Sequence, residues 1–253
     1  MKQIEIYDLE VFPNFFSYTG INRDTSELYT YYLHNDNNDL KPFKEYIRTL
    51  DGMIGYNVVN YDYPILHQLL LGKINTNKEI YNLSKSIINN DKIYMRDKDI
   101  IVPQLDLFKI WHYDNKARRT SLKDLECALN WNNVQDLQLP YNHTVMEDEI
   151  ANIMKYNLND VLATQLFLSK SLEKIDLRRN LTKMYGINCM NFSDSKIGEQ
   201  LVLHLYCKET NNDPWIIKQL RTHREYIDLN DIILPEIKFN SQEFNNLLSL
   251  LKN

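Results

Sequence analysis

"IEIYDLEVFPNFF", residues 4–16, is the stretch whose reading decides how this chain folds. Ile4 and Ile6 alternate with polar neighbours, the pattern of a half-buried strand. Asp8 and Glu10 then stand two residues apart near the end of that strand. Residues i and i+2 of a strand point to one face, so the two carboxylates share a face and repel each other. Leu9, between them, turns to the opposite face and reads as core. A fold that keeps two anions side by side calls for positive charge beside them.

Working outward, residues 3–9, "FFSYTGI" (15–21) and "ELYTYYL" (27–33) read as a three-stranded antiparallel meander, the last two joined through Asn22, Arg23 and Asp24. "NDNNDL" (35–40) reads as a loop. Residues 40–50 read as a helix with Phe43, Tyr46, Ile47 and Leu50 at helical spacing. "DGMIGYN" (51–57) reads as a short buried strand ending in a turn. "DYPILHQLLLG" (62–72) reads as a helix with Pro64 in its first turn and Gly72 as its stop. Residues 75–91 are polar and helical in part. "IIVPQLDLFKI" (100–110) is a strand running into a turn or helix, and "TSLKDLECALN" (120–130) is an amphipathic helix capped by Thr120 or Ser121. Residues 146–172 form one long periodic helix or two in tandem. A meander followed by alternating helices and strands predicts an α/β domain with a mixed sheet.

Beyond residue 173 the pattern changes. A helix is predicted over 193–209, loop and extended chain over "DLNDIILPEIKF" (228–239), and an amphipathic helix over 241–253. The apolar face of that last helix, Phe244, Leu247, Leu248 and Leu251, wants a partner, and the expectation is that the chain was cut from something longer.

With 253 residues and 43% hydrophobic content, the chain can bury the core of one large domain, or of one domain plus an appendage. Cys127, Cys189 and Cys207 show no C-x-x-C spacing, which argues against a zinc site or a disulfide framework. The N-terminus has no apolar signal region and no run of 18 apolar residues occurs. The expectation is a soluble protein of the cytoplasm with no membrane partner. A net charge of −5 lacks the basic footprint usual for a nucleic-acid binder. Acids that hold cations against phosphate are compatible with such a total.

Three stretches carry the chemistry: Asp8-x-Glu10; "GYNVVNYD" (55–62), with Asp62 opening a helix; and "YNLND" (156–160), with Tyr156 and Asp160 four apart on one helical face. Alone, each has a plain reading as a solvated face, an N-cap or an ordinary helix surface. Together, in this order, they resemble the DEDDy class of 3′→5′ exonucleases, most closely the proofreading domains of family B and phage DNA polymerases. The first motif there reads D-x-E, the second N-x-x-x-F/Y-D, matched by Asn57 through Tyr61 and Asp62, and the third Y-x-x-x-D, matched by Tyr156 and Asp160. Many relatives carry Thr after the glutamate, where this chain has Val11.

The resemblance implies an RNase H-like (DnaQ-like) fold, a mixed five-stranded sheet flanked by helices. It implies a 3′→5′ exonuclease domain over 1–175 and a mostly helical extension over 176–253, leading to a missing polymerase domain. The cofactors implied are two divalent ions, Mg²⁺ or Mn²⁺, about 4 Å apart. Asp8 would bridge both, Glu10 and Asp160 would hold the ion that activates water, and Asp62 would reach the second through water. Tyr156, with an ordinary phenol pKa near 10, would orient the attacking water rather than act as a base. Asn57 touches substrate or braces its turn. Phe12, Asn14 and Phe15 bound the terminal nucleotide, and Tyr61 either joins them or packs. Arg118 and Arg119, in "NKARR", contact a DNA backbone or form an ordinary solvated loop. The expected partner is single-stranded DNA or a frayed 3′ end, with a polymerase domain or subunit, in a bacterial host cell if phage-encoded. The alternatives are an RNA-directed exonuclease of the same fold and a non-catalytic RNase H-like binding module, against which the complete acid set argues.

Overall fold

The computed structural model describes residues 3–35, 37–89, 97–221 and 223–252. The opening stretch forms β1 (Ile4–Phe12), which turns through Pro13 and Asn14 into β2 (Phe15–Asn22), and then β3 (Leu28–His34). Register pairs Asp8 with Thr19 and Glu10 with Ser17, and Phe16 with Leu33 on the next strand. The strand alternates as the sequence predicts. Tyr7, Leu9 and Val11 join one core, while Ile6 joins the core on the other face. Asp8, Glu10 and Phe12 lie on the Ile6 side by the same alternation.

Among the described residues the sheet has six strands, not five. Asn35 adopts a left-handed backbone (φ 45°), and the chain folds back to add the two-residue β4 (Asn37–Asn38) beside β3, where a loop was expected. Asn37 Nδ2 also donates to the Tyr32 carbonyl. Asn-rich segments adopt such turns readily, and a ladder this short leaves no period to read.

Helix α1 (Leu40–Ile47) leads to β5 (Gly52–Gly55), which pairs parallel to β1, and α2 (Asp62–Leu70) follows. Gly72 stops α2 with φ 72°. Helix α3 (Asn77–Ile88) opens on a Thr76–Glu79 capping box. Residues 90 and 91, the end of the predicted polar helical stretch, lie outside the described residues. Next come β6 (Gln104–Asp106), parallel to β5, then α4 (Leu107–Ile110) and α5 (Leu122–Ala128), the last capped by Ser121. The long periodic segment resolves into a 3₁₀ turn (Glu147–Glu149), α6 (Ile150–Lys170) and α7 (Leu172–Tyr185).

The order across the sheet is β4-β3-β2-β1-β5-β6. Strand β1 therefore sits where the antiparallel half meets the parallel half. Its parallel partner β5 covers only Ile4–Ile6, so from Asp8 onward β1 has no β5 residue beside it. β1 thus runs on past its parallel partner at its carboxyl end, the end of the strands at which α/β sheets bind ligands.

Contacts divide the chain into two units, Met1–Leu201 and Val202–Asn253. The first carries on past residue 175 because α7 packs into its core: Ile175 is buried, and Arg178 is wholly buried with its guanidinium bonded to the carbonyls of Phe192, Lys174 and Ile110 and to Asp194. The division falls within α8 (Asp194–Thr210). The second unit holds α9 (Pro214–Gln219), α10 (Leu229–Ile232) and α11 (Gln242–Lys252). Helix α10 is one turn in the stretch expected to be loop. Phe244, Leu247 and Leu251 of α11 are exposed. No helix among the described residues is long and apolar enough to cross a membrane.

Candidate active site

Helix α6 lies across the face of β1 that carries the two acids. Its buried stripe runs Ile153, Asn157, Asp160, Val161, Thr164, Phe167, Leu168. An amide, a carboxylate and the Thr164 hydroxyl interrupt the apolar stripe, and buried polar groups of this kind are the informative exceptions in a core. Opposite them on β2 stand Ser17 and Thr19, small residues that leave α6 room to approach.

Carboxylate oxygens of Asp8, Glu10 and Asp160 lie within 4.8 Å of one another. Asn157 Nδ2 donates to Asp8 Oδ2 at 2.6 Å, while its wholly buried Oδ1 finds no partner among the described residues. Tyr156 donates its hydroxyl to Asp160. Asp62, the first residue of α2, is buried and stands outside the tight group of three, but its charge acts on both Asp8 and Glu10. Thus acids from three distant segments converge at the carboxyl end of β1.

Burial and mutual repulsion show in their protonation. Burial, then the charges of Asp62 and Glu10, push Asp8 well above the usual carboxylate range. Burial, with Asp160 and Asp62, pushes Glu10 up to about 8. Burial drives Asp62 to about 8 as well, against backbone N–H donors that pull it down. Asp160 is raised chiefly by burial, with Lys123 and Tyr156 opposing. Burial and the neighbouring acids push the Tyr156 phenol far above its ordinary value, so it stays protonated and keeps its proton to donate to Asp160.

Four positioning residues escaped the sequence reading. Lys123 on α5 reaches Asp160 at 2.7 Å and Glu126 at 3.3 Å, with its ammonium 4.5 Å from the Tyr156 ring centre. Asp106, wholly buried at the end of β6, accepts from the backbone N–H groups of Asn57, Val59 and Phe108. It therefore holds the turn that delivers Asp62, and burial raises it to about 6. Asn157 sits inside the third motif, and its tie to Asp8 becomes visible only once α6 is docked. His34, buried on β3, faces the Val145 carbonyl at 3.1 Å and Glu147 at 3.3 Å, which ties the segment before α6 to the sheet. For Asp106 the advance signal is an Asp ending an apolar run ("PQLD"), which reads only as part of a strand running into a turn or helix.

The expected substrate contacts are placed differently. Phe12 and Phe15 are buried in a small core with Val145 and Ile153, not lining a nucleotide site. Asn14 spends its amide on Val145, accepting from its N–H at 2.8 Å and donating to its carbonyl at 2.9 Å. Tyr61 packs against the core and shares a 2.6 Å hydrogen bond with Ser84. Asn57 braces its turn, with φ 62° and its side-chain oxygen accepting from Asn60. Arg118 and Arg119 are exposed on the loop that leads into α5, and hence towards Lys123.

The sequence matches no protein-family model and no curated protein.

Proposed function

We propose that the chain is a metal-dependent 3′→5′ exonuclease of RNase H-like fold that hydrolyses the terminal phosphodiester of DNA, the proofreading region of a phage-type polymerase. The observation that carries this reading is the convergence of Asp8, Glu10 and Asp160 within 4.8 Å, with the charge of Asp62 acting on them, where β1 outruns β5.

The residues fit divalent cations. Every donor in the cluster is an oxygen, as Mg²⁺ and Mn²⁺ require. The raised carboxyls are acids held close without enough positive charge, and the buried Asn157 Oδ1 offers one further unpartnered acceptor. Asp8, Glu10 and Asp160 would hold the ions, with Asp62 at the margin. Bound there, such ions supply activation of water and neutralisation of the phosphate charge. Tyr156, locked as a donor, fixes the Asp160 carboxylate and presents a hydroxyl beside the reacting phosphate. Asn157 fixes the Asp8 carboxylate. Lys123 adds a positive charge over Tyr156 that can face the anionic substrate. With Phe12, Phe15 and Asn14 occupied in packing, Arg118 and Arg119 are the candidates for the DNA backbone.

The test is digestion of a 3′-labelled single-stranded oligonucleotide with Mg²⁺. Wild type shortens it from the 3′ end, and Asp8→Ala or the Asp8/Glu10 double variant leaves it intact while keeping a native circular dichroism spectrum. Equal degradation by the variants overturns the assignment. Chelation with EDTA stops the reaction and leaves the spectrum unchanged.

A further inference from the structure

Glu126 on α5 is a wholly buried carboxylate outside the cluster of Asp8, Glu10 and Asp160. It lies one helical turn from Lys123 on α5, whose first turn is fixed by the Ser121–Asp124 capping box. Its Oε1 receives the Lys123 ammonium at 3.3 Å, while its Oε2 is buried with no partner among the described residues. An unpaired carboxylate is expensive to bury, so this side chain depends on the lysine. Lys123 is nevertheless drawn the other way, lying closer to Asp160, at 2.7 Å. One ammonium thus bridges two carboxylates, and one of the two keeps an unsatisfied oxygen.

We infer that Glu126 is a positioning residue that receives the Lys123 ammonium when a divalent cation takes its place on Asp160. This rests on the metal-dependent reading above. The buried Asn157 Oδ1, on the amide that holds Asp8, is an independent oxygen donor left without a partner among the described residues, as a cation ligand would be. Lys123 and a divalent cation compete for the same Asp160 oxygens, and like charges at such range repel. The displaced ammonium needs an acceptor within a side-chain rotation, and Glu126 Oε2 is a nearby one left open. With Glu126 present, Lys123 leaves Asp160 without leaving its pocket over Tyr156. Without it, the ammonium loses its second carboxylate and stays on Asp160, so the cation binds less tightly.

The experiment is Mn²⁺ binding by titration calorimetry on the full chain, paired with a crystal structure of the Mn²⁺-soaked wild type. Glu126→Gln should bind Mn²⁺ about tenfold more weakly than wild type, and Glu126→Asp, which keeps the charge, should recover most of that loss. In the soaked crystal Lys123 Nζ should sit within hydrogen-bond distance of Glu126 Oε2 and away from Asp160. Mn²⁺ bound among Asp8, Glu10 and Asp160 with Lys123 still on Asp160 overturns the inference and leaves the metal site standing. Unchanged affinity in Glu126→Gln does the same. No Mn²⁺ in wild type at all removes the proposed function as well. Should Glu126→Gln fail to fold, the wild-type crystal alone decides.

Discussion

Asn157 on α6 donates to Asp8 on β1 across 2.6 Å, joining residues 149 apart in the chain. The bond ties the third motif to the first and sets the depth at which α6 docks. Removing a buried donor leaves its acceptor with the full desolvation cost, about 1–3 kcal/mol. Asn157→Ala should therefore lower stability by about that amount in urea denaturation, and it should cost more activity than stability, because Asp8 is left free to rotate. A variant with the expected stability loss and unchanged hydrolysis would show that the amide only packs.

The acids are held together against repulsion, so function and stability should pull in opposite directions at Asp8. Asn at this position still accepts from Asn157 but removes a charge facing Asp62, Glu10 and Asp160. In EDTA, Asp8→Asn should melt higher than wild type, by the few degrees that about 1–2 kcal/mol gives a domain of this size. Its hydrolysis should be lost. A lower melting temperature in EDTA would mean that the acids do not oppose one another in the metal-free fold.

How much of this was legible follows from which interactions are local. The β1–β3 meander reads directly, because Ile4 and Ile6 set a period of two on one face of β1 and Tyr-rich β3 continues the strand pattern. Helix α2 reads equally well, since Pro64 and Gly72 punctuate it. The acids were legible as a set through spaced motifs. Lys123, Glu126, Asp106 and Asn157 were not, because each matters through a partner far away in sequence. Phe12 and Phe15 misled for the reverse reason. An aromatic beside a motif looks like a stacking surface until α6 and Val145 cover it.

Asp106 gives the sharpest test of the hidden scaffold. Its two oxygens accept three backbone N–H groups, from Asn57, Val59 and Phe108. Asp106→Ala strands those donors in the interior and releases the turn in which Asn57 holds a left-handed backbone. A loss of about 2–4 kcal/mol is expected in denaturant titration. Where the variant is folded, hydrolysis should fall further than for Asn57→Gly, which suits the positive φ and keeps the Asp106 bonds. Equal activity for the two would mean that Asp62 does not depend on this turn.

On the opposite face of β1, Glu5 is wholly buried and accepts from the hydroxyls of Tyr18, at 2.6 Å, and Tyr46. A Cβ at Gly20 would stand 2.5 Å from its Oε2, so glycine there makes the room. Burial pushes the Glu5 carboxyl from 4.5 up to about 7, against the Tyr18 bond that lowers it and with Glu27 adding to the rise. A carboxyl raised on folding binds its proton more tightly in the native state. Its contribution is thus complete below pH 4.5 and disappears as pH climbs through 7. That contribution is roughly 3 kcal/mol at most. Glu10 and Asp62, both near 8, tilt stability the same way, so the informative quantity is the difference between wild type and Glu5→Gln. Melting curves in EDTA between pH 5 and 8 should fall more steeply for wild type than for the variant. Parallel curves would place the Glu5 carboxyl near its ordinary value in the folded protein.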